Sequence, residues 1–227
     1  MPRFYTNDLI SLGGLPGLLT FPAGIDILRQ TYLSREAETT MEEYKLNDKD
    51  IRKIIYNSFS GSKEENRILE EFPMGDSRAD MLLVTKTKLI GLEIKSDRDS
   101  FVRLERQIRD YEKFFDTNYL VVGTYHVEEA LRTVPAHWGI YEVYETEDGT
   151  YAMELVRGVG MALKDNTEEK LYLLWRNELM KIVRDYRLAK GNLQRKDKMI
   201  SKIVRGLTVP VIQGEICRAL LNREYRE

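Results

Sequence analysis

Between Ala79 and Val122 the chain sets out strand, strand, helix, strand in an order that leaves few folds open. Ala79-Asp-Met-Leu-Leu-Val-Thr85 and Lys88-Leu-Ile-Gly-Leu-Glu-Ile-Lys95 are two extended apolar runs joined by a polar turn at Lys86-Thr87, which reads as a hairpin. Ser100 is placed to cap a following helix, in which Phe101, Leu104, Ile108, Tyr111 and Phe115 recur at the three- and four-residue spacing of an apolar stripe. Tyr119-Leu-Val-Val122 then reads as a fully buried strand. A crossover of helix length separates it from the strand before, so the two should run parallel. A parallel pair beside an antiparallel hairpin, with a helix laid across them, predicts an α/β fold around a mixed sheet.

The flanking sequence extends this plan. Asn47-Asp48 caps a helix carrying Ile51, Ile54, Ile55 and Phe59; Ile68 to Phe72 reads as a short strand ended by a Pro73–Ser77 loop. A short helix is expected over Val127 to Val134, then strands at Gly139–Tyr144 and Tyr151–Leu155. From Thr167 the pattern turns helical, with one stripe from Leu171 through Trp175 to Tyr186 stopped at Gly191, then helices near 195–205 and 209–223. Trp175 is expected to pack in the core. The division is an irregular arm over 1–45, with a short helix at Ile25–Tyr32, a core over 46–160 and a helical region over 167–227.

Composition narrows the function classes. Of 227 residues 42% are hydrophobic and 32% charged, which is enough for a core, and the apolar runs fall far short of the ~20 residues of a membrane helix. The single Cys217 and the lack of a secretory leader point to a reducing cytoplasm. The net charge of -2 conceals an asymmetry, because residues 167–227 hold 14 Lys and Arg against 8 Asp and Glu, a balance of +6. Such a basic stretch is either a solvated helix face or a footprint for nucleic acid. His126 and His137 lack a metal-ligand spacing, and no Gly-Lys-Ser/Thr follows the glycines near Leu12.

The hairpin also carries chemistry. With Lys86 and Thr87 as turn residues, Asp80 falls opposite Glu93, and Lys95 points the same way two residues on. Two facing carboxylates repel unless a cation lies between them. Oxygen ligands of this kind suit Mg²⁺ or Mn²⁺, with the carbonyl of Ile94 as a further donor and Lys95 orienting water or offsetting phosphoryl charge.

Asp80, the twelve residues that follow, and Glu93-Ile-Lys95 at the end of an apolar strand resemble the PD-(D/E)XK nuclease superfamily. Gln107-Ile-Arg-Asp-Tyr111 resembles the Q-x-x-x-Y element of its RecB-like branch. Ser77-Arg-Ala-Asp80, Glu93-Ile-Lys-Ser-Asp-Arg-Asp99, Arg106-Gln-Ile108 and Leu120-Val-Val-Gly123 are together similar to a family of small prokaryotic and phage proteins with a Leu-Leu-Trp-Arg motif, here Leu173-Leu-Trp-Arg176. The resemblance covers about residues 47–180 and implies a restriction-endonuclease-like core in which Asp80 and Glu93 bind Mg²⁺ (or Mn²⁺) and Lys95 is the catalytic lysine. Gln107, Tyr111, Arg78 and Arg98 would position substrate, and Glu71 or else Glu65 would supply an additional acid. The implied activity is metal-dependent hydrolysis of DNA, without membrane association; a homo-oligomer stays open. The alternative is a non-cleaving DNA-binding or interaction module with the same fold in a repair, phage or defence complex. Ala79 stands where the superfamily's name has Pro.

Overall fold

A computed structural model describes residues 46–59, 65–146, 148–160, 166–191 and 193–225. The arm expected over 1–45, with its helix at Ile25–Tyr32, lies outside the described residues. Lys45–Glu227 cluster as one compact unit.

The fold is α/β, with a six-stranded mixed sheet in the order β1-β2-β3-β4-β5-β6. Helix α1 (Asp48–Phe59) starts where Asn47 Oδ1 accepts the Asp50 amide, and it buries Ile51 and Ile55. Strands β1 (Asn66–Met74), β2 (Ser77–Thr85) and β3 (Leu89–Lys95) form an antiparallel meander. Helix α2 (Leu104–Phe114) crosses to β4 (Thr117–Gly123), which runs parallel to β3. A 3₁₀ turn and α3 (Val127–Thr133) lead to β5 (Gly139–Glu145), parallel to β4, and β6 (Tyr151–Arg157) returns antiparallel. Helices α4 (Thr167–Leu171), α5 (Arg176–Asp185), α6 (Lys196–Gly206) and α7 (Val209–Leu221) complete the unit.

Alternation along the strands divides the interior into two cores. Met81, Leu83, Leu92, Ile94, Val121 and Val143 pack with Ile51 and Ile55 of α1. On the other face Leu82, Val84, Leu89, Leu120 and Val122 pack with Tyr111 and Ile108 of α2 and with apolar residues of α4 to α7. The basic C-terminal segment is therefore built into this core: Leu171, Leu174, Ile203, Ile216 and Leu220 are fully buried.

Four local expectations are corrected. The strand expected at Ile68–Phe72 runs on to Met74, and the loop expected over Pro73–Ser77 shrinks to a two-residue turn at Gly75-Asp76. Pro73 is tolerated because β1 is an edge strand, and Gly75 (φ 61) takes the left-handed turn position. Ser100 does not cap the next helix: α2 starts at Leu104, and Ser96 instead gives its amide and hydroxyl to Asp99, tightening the loop after β3. The single stripe from Leu171 to Tyr186 is two helices, because the chain leaves helical geometry at Trp175 (φ -73, ψ 159) and restarts there, Glu178 accepting the Trp175 amide at 2.6 Å. Trp175 itself is 41% exposed rather than core, with the Arg223 guanidinium 4.4 Å from its ring centroid.

Candidate metal centre

The β2–β3 ladder pairs Val84 with Leu89 and continues to Met81 with Leu92. Asp80 and Glu93 are the next residues out in that register. Here the hydroxyl of Tyr111 inserts between the strands, accepting the Asp80 amide at 3.0 Å and donating to the Leu92 carbonyl at 3.2 Å. Tyr111 is fully buried, and burial followed by the nearby carboxylates holds its phenol well above the ordinary value, so it stays a donor. The ring lies close against β3 because residue 91 is glycine; a Cβ there would come within 2.6 Å of Tyr111 Cδ1.

Past the last ladder pair, Met81 with Leu92, the Asp80 carboxylate takes up a backbone amide of β3. Its Oδ2 accepts the Ile94 amide at 2.8 Å. Burial raises the Asp80 pKa, against the lowering effects of that amide, Arg52 and Lys95. Glu93 is completely buried. Its Oε1 accepts from Lys95 Nζ at 3.0 Å and from Gln107 Nε2, while Gln107 Oε1 accepts a second Lys95 proton at 3.0 Å. The three side chains thus form a closed ring. Glu93 Oε2, in contrast, is buried with no hydrogen-bond partner of good geometry, the Tyr111 hydroxyl acting on this carboxylate only as a lesser lowering influence while it donates to Leu92. Burial and then the Asp80 charge push the Glu93 carboxyl up to about 7. A buried carboxylate with one bare oxygen, beside a second carboxylate, is a costly arrangement that a bound cation would relieve.

The remaining residues named from sequence fall into place unevenly. Ile94 reaches Asp80 through its amide, and its side chain lies in the α1-side core. Glu71 falls between the Glu70–Met81 and Phe72–Ala79 pairs of the β1–β2 ladder, and its two carboxylate oxygens are paired with Arg52 (2.7 Å) and Arg78 (2.7 Å). Glu65 is not near Asp80: it is exposed at the other end of the hairpin and pairs with Lys86 beside the β2–β3 turn. Arg78 is exposed and held by Glu71, and Arg98 is exposed in the loop three residues past Lys95. Among the described residues no group of three or more His, Cys, Asp or Glu is disposed to hold a metal. An ion bound by Asp80 and Glu93 would complete its shell from water and backbone, which suits Mg²⁺.

Sequence reasoning missed Arg52. From α1 its guanidinium donates to Asp48 (2.5 Å), Glu70 (3.4 Å), Glu71 (2.7 Å) and the Asp80 carbonyl (2.8 Å), and it lies 3.7 Å from Asp80 Oδ1. In sequence it is one half of an ordinary i, i+4 pair with Asp48.

A family model described as bacteriophage P4 protein cII matches residues 37–227. Among solved structures the chain is similar to SPO1766, a protein of unknown function from Silicibacter pomeroyi, at 21% identity over 55% of this chain and 80% of that one, with a TM-score of 0.38. It is also similar to Pyrococcus furiosus SfsA, solved in complex with Ca²⁺, at 19% identity over 50% of this chain and 62% of that one, with a TM-score of 0.30. No curated protein matches the chain. No helix among the described residues is long and apolar enough to cross a membrane.

Proposed function

The chain belongs to the bacteriophage P4 protein cII family, and from the centre at the end of its β2–β3 hairpin we propose that it is a divalent-metal-dependent nuclease of the PD-(D/E)XK type, acting on DNA. The observation that carries this reading is the bare, buried Oε2 of Glu93 next to Asp80, with the other Glu93 oxygen committed to Lys95 and Gln107. Asp80 and Glu93 would hold Mg²⁺ or Mn²⁺, which when bound polarises the phosphoryl oxygen and lowers the pKa of water.

The chain's own residues then have distinct tasks. Tyr111 fixes the split of the two strands, so that Asp80 and Glu93 present their oxygens from rigid backbone. Gln107 and Glu93 hold the Lys95 ammonium in one place, where it orients the attacking water and offsets charge on the phosphoryl oxygens. Arg78 and Arg98, both exposed, would contact flanking phosphates, Arg78 by exchanging its Glu71 partner. The water oxygen bonds to phosphorus as the phosphorus bond to the leaving sugar oxygen breaks, the water giving up a proton to solvent and the leaving oxygen taking one from it.

One observation favours the alternative, a DNA-binding or interaction module that does not cleave. Asp80 already has an amide on one oxygen and a guanidinium facing the other, so the cluster could be a neutralised structural network. Cleavage of plasmid, linear duplex and single-stranded DNA with Mg²⁺ or Mn²⁺, against EDTA and the Glu93→Ala and Lys95→Ala variants, separates the two. Cutting that requires metal and is lost in both variants is the expected result. Salt-dependent DNA binding with no cutting of any substrate replaces the enzyme with the module.

A further inference from the structure

The acids beside Asp80 are already served by a cation that belongs to the chain. Arg52 is 12% exposed, whereas its partners Asp48, Glu70 and Glu71 are 46%, 41% and 45% exposed, so the guanidinium sits inside a cup of carboxylates. All three of its nitrogens are engaged, and one of them also binds the Asp80 carbonyl. The backbone is bent to make this cup. Glu71 is a non-glycine residue at φ 49, in the left-handed region that L side chains rarely adopt. The face of the hairpin switches at that point: Leu69 and Phe72, three residues apart, both enter the α2-side core, as do their partners Leu82 and Ala79. The irregularity delivers the Glu71 carboxylate to Arg52 and Arg78.

Two-metal phosphodiester sites hold their ions ~3.5–4 Å apart and need additional oxygens around the second ion. Here Asp80 Oδ1 looks toward Arg52 at 3.7 Å, and each neighbouring acid that could complete a second shell is paired with the same guanidinium. We infer that Arg52 takes the place of a second divalent ion, so that the centre binds one ion per chain and Arg52 is a positioning residue that fixes Asp80 toward it. This rests on the reading of Asp80 and Glu93 as metal ligands. The planar guanidinium suits the task, because it binds several carboxylates at once and keeps its charge at any working pH.

The test is the stoichiometry of Mn²⁺ binding to the full chain, by titration calorimetry and by the electron paramagnetic resonance signal of free Mn²⁺. Wild type should bind one ion, with affinity falling at least ~10-fold in Glu93→Gln, in line with the loss of a ligand contact. Arg52→Gln should bind a second ion, which Arg52→Lys suppresses and the double variant Arg52→Gln, Glu71→Gln loses again. Two ions in wild type overturn the inference and leave Asp80 and Glu93 standing as ligands. A folded Arg52→Gln protein that still binds a single ion also overturns it, making Arg52 an ion-pair residue alone. No Mn²⁺ binding in wild type removes the metal reading and this inference together. Should Arg52→Gln fail to fold by circular dichroism, Glu71→Gln in the wild-type background decides: one ion retained is expected, and loss of that ion overturns the assignment of Glu71 to Arg52.

Discussion

At the scale of single residues the centre is a set of exchanges, each group satisfied by one that the fold brings from elsewhere. Tyr111 is the clearest case, since its hydroxyl takes the Asp80 amide and reaches the Leu92 carbonyl where the pairing of β2 with β3 ends at Met81 and Leu92. Tyr111→Phe keeps the ring packing and leaves a buried amide and carbonyl without their partner, so it should lower unfolding free energy by about 1–3 kcal/mol in urea denaturation. It should also weaken Mn²⁺ binding in the same variant, because Asp80 is then free to re-pair with β3; unchanged metal affinity would confine Tyr111 to stability. Glu93→Gln should reduce the rise in Tm that Mn²⁺ gives wild type at the same concentration, since stabilisation by a ligand follows the logarithm of its concentration relative to Kd for the folded state. Asp80, Glu93 and Lys95 were legible in sequence, placed on one face by strand alternation, whereas Gln107 and Tyr111 were named only through the resemblance to the PD-(D/E)XK superfamily, helix spacing alone reading Tyr111 as core. Arg52 was not legible. It lies 28 residues before Asp80 and meets it only once α1 has docked on the sheet, and no local period records that contact. The pairing of Glu71 with Arg52 and Arg78 was equally hidden, because a left-handed non-glycine residue leaves no mark in composition.

Elements were legible where a period ran unbroken, but their ends were misread at Ser100, four residues before α2 begins, and where one stripe served two helices. Helix α1 is capped by Asn47, as its sequence implies, and β4 is parallel to β3, as the crossover length requires. Helices α4 and α5 carry one apolar period across a break because both rest on the same core, so the period continues where the helix does not. The contact of α2 with β3 shows how an element positions chemistry. Gly91 gives the helix its close approach, and a Cβ there would lie 2.5 Å from Phe115 Cδ2 and 2.7 Å from Asn118 Oδ1 as well as against Tyr111. Gly91→Ala should therefore lift α2 from the sheet, costing about 1–3 kcal/mol of stability as overpacking does. The same displacement moves Tyr111 and Gln107, so metal-dependent cleavage should fall by more than the stability loss accounts for at a temperature where the variant is fully folded. Activity equal to wild type under those conditions would show that the helix position is not part of the centre.

At the scale of the whole molecule the C-terminal helices decide whether the sheet can exist alone. Residues 167–227 read in sequence as a basic region beside the core, because their charge is visible and their buried stripes have no visible partner. In the structure several of those charges are spent internally: Lys170 pairs with Asp116, Arg218 with Glu215, and Arg223 with Glu178. Arg67 of β1 donates to the Leu221 carbonyl, and Gln213 to the Thr87 carbonyl at the β2–β3 turn, so α7 is tied to the same hairpin that ends in Asp80 and Glu93. Sheet and helices should then unfold as one cooperative unit. Cys217 reports on this directly, because it is fully buried in α7 and burial pushes its thiol up to about 11. The thiolate is the reactive form, so a thiol reagent at pH 8 should label the native chain far more slowly than the unfolded one. In a urea titration the midpoint of Cys217 labelling, measured with short reagent pulses, should coincide with the midpoint of sheet loss by circular dichroism. Labelling complete at a lower urea concentration, with the sheet signal intact, would mean that the helices open separately and that the centre at the end of β2 and β3 stands without them.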